Sequence, residues 1–224
     1  MKFIIFYNEC LRSKIIYSRF IRNNKKDIKY VFRLPINLSS KNKFFLLKKG
    51  IFNNNAYSYI VFQLFQTFFY NIFSKLFFCS IESLCKRENI NFSSLENFPE
   101  IGYIKKKIKN YKKNDIIFVS TTYILNHKNL SIKNPILNLH EADPDQYKGS
   151  AIYFQLAKDK RNYMKTVIME PTTKIDSGRV LLSSKFKKIK NFSVFKIILT
   201  GYKLQDILMS KIKKINIKKK ISKN

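Results

Sequence analysis

Asn138, Leu139 and His140 close an apolar run, and Asp176-Ser177-Gly178 follows further along the chain. A carboxamide N–H can hold a developing oxyanion, a neutral imidazole can give or take a proton, and a carboxylate can orient that imidazole or accept a proton itself. These are the parts of acyl or formyl transfer to an amine. One residue separates Asn138 from His140, so on an extended strand both project from one face while Leu139 points to the other. One substrate carbonyl can then touch both. The chain holds 2 histidines, and Glu141, Asp143, Asp145, Asp159, Glu170 and Asp176 come from a total of 14 acidic residues. Chemistry, if present, belongs to this window.

Strands and loops must hold these groups in register. Lys2–Tyr7 and Asp27–Leu34 read as strands around a helix near Glu9–Asn23, the opening of a β-α-β unit. Asn37–Asn55 reads as a loop. The stretch from Ala56 to Ile81 is rich in Phe and Ile but is broken by Gln63, Gln66, Asn71 and Lys75, each costly in hydrocarbon. Ile60, Leu64, Phe68, Ile72 and Leu76 recur at helical spacing, which predicts a core-facing amphipathic helix rather than a membrane span. The Phe-rich part, Tyr57–Phe78, is also a candidate homodimer interface. Ile81–Asn89 reads as a short helix, and Pro99 opens a helical segment through Tyr111, whose lysines form a solvated face.

Asp115–Ser120 is a run of apolar and β-branched residues, hence a buried strand. Pro135–His140 is the next strand, followed by the polar loop Glu141–Gly149. Ser150–Lys158 reads as helical, Met164–Glu170 and Val180–Phe186 as strands around the Asp176–Gly178 turn, and Ser193 as the cap of a last helix reaching about Ile215. The Lys-rich tail Lys218–Asn224 ends the chain. This alternation predicts an α/β, Rossmann-like fold with a mostly parallel sheet flanked by helices. Residues 1–190 make one domain, and 191–224 a C-terminal helix with a basic tail. Ligands of such sheets sit at the carboxyl ends of strands, where His140 stands.

The 44 Lys+Arg residues against 14 acids, a net charge of +30, would ordinarily imply a polyanionic partner. Yet Lys, Asn, Ile, Phe and Tyr are abundant together while Gly (5), Pro (5) and Trp (0) are scarce, the bias of an A+T-rich coding sequence. A basic RNA-binding protein with Lys211–Lys223 as its arm is the non-enzyme alternative, without Gly/Arg-rich or aromatic RNA-binding signatures. Cys10, Cys79 and Cys85 lack C-x-x-C spacing, which predicts neither disulfides nor a zinc knuckle and a reducing cytoplasm. Residues 1–8 are too short for a secretory apolar region and run into Glu9. His140, Glu141, Asp143 and Asp145 could instead ligate a divalent metal in a hydrolase, but they follow no established spacing, and no metal is expected.

The ordered set resembles the formyltetrahydrofolate-dependent formyltransferases, whose catalytic domain carries N-x-H, a loop ending in Tyr-x-Gly, and a later D-x-G. Here these stand as Asn138-Leu139-His140, Tyr147-Lys148-Gly149 and Asp176-Ser177-Gly178, over about residues 80–187. Asp115–Val119 resembles the buried strand before the family's motif loop, and Thr166–Met169 the strand leading to its aspartate. The resemblance implies a formyltransferase-type catalytic domain using formyltetrahydrofolate. Asn138 would polarise the formyl group, His140 stabilise the tetrahedral intermediate or relay a proton, and Asp176 orient His140 or take the amine's proton. Tyr147, Gly149 and Gly178 would bind the cofactor.

The chain also departs from the family. Glu141-Ala142-Asp143-Pro144-Asp145 stands where it has Pro-Ser-Leu-Leu-Pro, in a loop that shapes the folate pocket. Tyr7-Asn8-Glu9-Cys10 lacks the glycine-rich phosphate loop of the glycinamide ribonucleotide enzymes. The residues after 187 are too few for the RNA-binding domain of methionyl-tRNA formyltransferases. The resemblance therefore implies an amino-sugar nucleotide N-formyltransferase with a small-molecule acceptor. A methionyl-tRNA formyltransferase-like enzyme and a non-catalytic relative are the alternatives within it.

Overall fold

The computed structural model describes residues 2–35, 80–120, 125, 127–147, 163–174, 176–187 and 194–212. The expected loop Asn37–Asn55, the Phe-rich helix Tyr57–Phe78, Cys79, the helix Ser150–Lys158, Gly149, Ser193 and the tail Lys218–Asn224 lie outside these residues.

Seven strands form one sheet in the order β3-β2-β1-β4-β5-β6-β7. They are β1 (Phe3–Asn8), β2 (Ile28–Leu34), β3 (Phe92–Ser94), β4 (Ile116–Ser120), β5 (Ile136–His140), β6 (Tyr163–Met169) and β7 (Val180–Lys187). The pairings from β3 to β5 are parallel, whereas β5–β6 and β6–β7 are antiparallel. The sheet is thus mostly parallel, as the sequence predicts. Every residue of β1 and β4 is buried, because a central parallel strand is covered on both faces and has no side left for polar residues. At the far edge β7 alternates toward solvent and exposes Lys185 and Lys187, which discourages pairing with another sheet.

The helices are α1 (Leu11–Asn24), α2 (Ile81–Arg87), α3 (Ile101–Lys107), α4 (His127–Leu130) and α5 (Val194–Lys211). Three are shorter than the periodicity suggests. α1 begins at Leu11 rather than Glu9, since Cys10 is an extended N-cap (φ −157°, ψ 167°) and Glu9 accepts the Tyr7 hydroxyl at 2.8 Å. α2 stops at Arg87, with Asn89 in the left-handed region at φ 53°. α3 stops at Lys107 because Ile108 is extended and Asn110 takes φ 60°. Strand β3 has three residues, too few for any alternation to announce it.

Two apolar layers flank the sheet. Phe3, Ile5, Tyr7, Phe118, Leu137, Leu139 and Ile168 meet α1, α2 and the α5 residues Leu208 and Met209 on one face. Ile4, Phe6, Phe32, Ile117, Val119 and Ile136 meet Ile104 and Ile108 on the other. Ile136 belongs to the second layer and Leu137 and Leu139 to the first, so Asn138 and His140 face the second, as strand alternation requires. Among the described residues no helix is long and apolar enough to cross a membrane.

At the amino end of the sheet, Lys29 Nζ lies 2.5 Å from Asp115 Oδ2. Asp115 also accepts the Lys112 amide at 2.8 Å, and Asn134 Nδ2 donates to the Asp115 carbonyl at 2.8 Å. This network ties β2 to β4, far from the strand ends that carry His140.

Candidate active site

His140 is the last residue of β5 and is 5% exposed. Its backbone carbonyl accepts the Thr166 hydroxyl of β6 at 2.7 Å, fixing the strand end from that side. The ring lies between two oxygens, with Nε2 3.1 Å from the Tyr147 carbonyl and Nδ1 3.4 Å from Asp176 Oδ1. A carbonyl can only accept, so at rest Nε2 carries the proton and donates it to Tyr147. Burial pushes the imidazole below its ordinary pKa, and the Asp176 and Glu141 carboxylates pull against it. The ring is therefore neutral near pH 7, and a proton arriving at Nδ1 lands beside a carboxylate. That is the arrangement of a proton relay.

Asp176 reaches this position by an indirect path. In the antiparallel register Met169 lies opposite Asn138 and Val167 opposite His140, so β6 leaves the sheet moving away from the carboxyl end of β5. The loop must double back. The Glu170 amide donates to the Arg179 carbonyl at 3.0 Å, the Thr172 amide to the Ser177 carbonyl at 3.2 Å, and Arg179 Nε to Glu170 Oε2 at 2.9 Å. Asp176 itself takes φ 46°, a region where Asp is tolerated better than most residues. Gly178 has φ 140°, and a Cβ there would lie 1.8 Å from the Glu170 carbonyl oxygen. Only glycine passes that close to the backbone.

The loop after His140 is held by its own acids. The Asp143 carbonyl accepts the amides of Gln146 and Tyr147, at 3.1 and 2.9 Å, and its carboxylate accepts Lys165 Nζ of β6 at 2.8 Å. Glu141 Oε1 lies 3.2 Å from Arg12 Nη1. The Tyr147 side chain is buried with Ala142, Met164, Ile197, Ile198 and Tyr202, and its carbonyl is the group that faces His140.

His140, Asp176 and the Tyr147 carbonyl are thus brought together, and Asn138 is half-buried two residues before His140 on the same face. Gly178 shapes the turn that presents Asp176. Arg12, Thr166 and Lys165 escaped the sequence reading. Arg12 alone left a trace, as a cation in the first turn of a helix, where the dipole disfavours it.

No family model matches the chain, and no curated protein sequence matches it. Solved structures do. A phosphoribosylglycinamide formyltransferase from Campylobacter jejuni superposes with a TM-score of 0.61 at 11% identity, covering 96% of this chain and 96% of its own. WlaRD, a sugar 3N-formyl transferase solved with dTDP and 5-N-formyl-THF, gives a TM-score of 0.57 at 14% identity over 95% of this chain and 62% of its own. A formyltetrahydrofolate deformylase from Pseudomonas syringae gives 0.57 at 9% identity over 94% and 59%. In its architecture this chain shares the α/β fold of these solved formyltransferases and of the deformylase.

Proposed function

We propose that this protein is an N-formyltransferase that moves a formyl group from formyltetrahydrofolate to the amine of a nucleotide-linked amino sugar. The observation that carries the reading is the His140–Asp176 pair, 3.4 Å apart at the carboxyl end of β5, with Asn138 on the same strand face. An amide N–H donor, an imidazole that carries a proton and a carboxylate acceptor are the groups a formyl carbonyl and an amine require. The neighbouring acids suit that set, because Glu141 is matched by Arg12 and Asp143 by Lys165. The turn after β1, Glu9-Cys10, has no glycine-rich loop of the kind that cradles the phosphate of a glycinamide ribonucleotide, which weighs against that acceptor.

Formyltetrahydrofolate supplies an activated formyl carbon, whose bond to the folate nitrogen breaks as the new amide bond to the acceptor forms. Asn138 donates to the formyl oxygen as the amine nitrogen bonds to the carbon and the carbonyl electron pair moves to oxygen. His140 takes the amine proton at Nδ1, where Asp176 stabilises the resulting imidazolium, and returns it to the departing nitrogen. Tyr147 holds the ring through its carbonyl. Tyr147, Gly149 and Gly178 are proposed to frame the folate pocket.

The test is release of tetrahydrofolate by the purified full chain, given formyltetrahydrofolate and a panel of nucleotide-linked amino sugars. Turnover with one acceptor, lost in His140→Ala and Asp176→Ala proteins that still fold, is the expected result. Full turnover in both variants overturns the site, and no turnover with any amino sugar overturns the acceptor class.

A further inference from the structure

Arg12 is the second residue of α1, where unpaired helical N–H groups make a cation unfavourable, and its contacts to three described residues offset that position. Nε donates to Gln205 Oε1 of α5 at 2.8 Å, Nη2 donates to the Leu139 carbonyl at 2.6 Å, and Nη1 lies 3.2 Å from Glu141 Oε1. Gln205 is fully buried. The other two partners are the residues immediately before and after His140. Leu139 also lies one residue beyond the last β4–β5 pair, Val119↔Asn138, so Arg12 grips β5 where the parallel ladder stops. With Thr166 on the His140 carbonyl, the strand end is fixed from both sides.

We propose that Arg12 is a positioning residue of this site, setting both the place of the His140 ring and the charge around it through Leu139 and Glu141. The inference rests on His140 being the reactive imidazole of the proposed transfer, although its first test needs no turnover. Among the described residues, the charges facing His140 are Asp176 from the β6–β7 turn, Glu141 and Asp143 from the loop after β5, and Arg12 from α1. Asp143 is in turn paired with Lys165 of β6. Arg12 opposes the acids directly and also neutralises one of them. A lysine would restore the charge but cannot serve three acceptors with a planar fork.

The experiment is an imidazole titration followed by NMR on the full chain labelled at histidine. There are two histidines, and a His140→Gln protein identifies the relevant signals. Arg12→Gln should raise the His140 midpoint, Glu141→Gln should lower it, and Arg12→Lys should return it toward wild type while the ring's chemical shifts stay displaced. In the transfer assay kcat should fall by about a hundredfold in Arg12→Gln, the cost of a misplaced reacting group, with KM little changed. An Arg12→Gln protein that melts earlier but keeps the wild-type midpoint and shifts would make Arg12 a brace only and overturn the proposal. If that variant fails to fold, an unchanged midpoint in Glu141→Gln overturns it instead. A wild-type protein without turnover refutes the proposed function, while the titration still decides the role of Arg12.

Discussion

Nδ1 of His140 stands 3.4 Å from Oδ1 of Asp176, although the strand leading to Asp176 leaves the sheet opposite Asn138 and heading away. The pair exists because a braced loop folds back over β5. Its proposed role therefore depends on two things that can be separated by mutation: the groups themselves and the turn that brings them together.

Asp176→Asn keeps the shape of the side chain but removes the charge that would stabilise a protonated His140. Formyl transfer should drop by about 10²- to 10⁴-fold, the usual worth of a positioned acid or base, with little change in thermal midpoint. Steady-state kinetics beside a circular-dichroism melt would show it.

Gly178→Ala probes the turn. The new Cβ would fall 1.8 Å from the Glu170 carbonyl oxygen in a residue held at φ 140°, so backbone must move. A loss of about 1–3 kcal/mol is expected from strain at such a site, together with loss of transfer activity. Urea denaturation measures the first, and the signals of the His140 ring report whether Asp176 has been pulled away.

The pH dependence of stability follows from the buried imidazole. Its folded pKa lies below the ordinary 6.5 because burial disfavours the cation. The unfolded chain therefore binds the proton first as pH falls, so the stability contributed by neutral His140 is present above that value and lost below it. Melting the wild type and His140→Asn between about pH 7.5 and 5.5 should show a decline in the former that is smaller in the latter. Equal slopes would remove His140 as the cause.

Lys29 and Asp115 form the most enclosed ion pair among the described residues, with side chains 13% and 4% exposed. Asp115→Ala takes the carboxylate acceptor away from the enclosed Lys29 ammonium and from the Lys112 amide, and should cost about 3–5 kcal/mol. Glu82→Ala, which breaks the exposed pairs with Lys86 and Arg33, should cost about 1 kcal/mol or less. Denaturant midpoints of the two proteins compare them directly.

Much of this architecture is legible in the chain. β1 and β4 announce themselves as unbroken apolar runs because both faces are covered, and the single-residue spacing of Asn138 and His140 puts them on one face of any strand. Local sterics and alternation settle such features, and they need no knowledge of the rest of the molecule. Helix ends were less legible, since α3 stops at Lys107 through the extended backbone of Ile108, which no periodic pattern encodes.

Tertiary structure decided the rest. An apolar run has no direction, so the antiparallel entry of β6 came from packing, and with it the need for a loop that returns Asp176 to His140. Arg12 could not be tied to the site from the sequence, because Leu139 and Gln205 lie 127 and 193 positions away. The sequence by itself determined which side chains share a strand face. Only the folded chain could determine which distant charges surround them, because those distances arise when separate elements pack against one sheet.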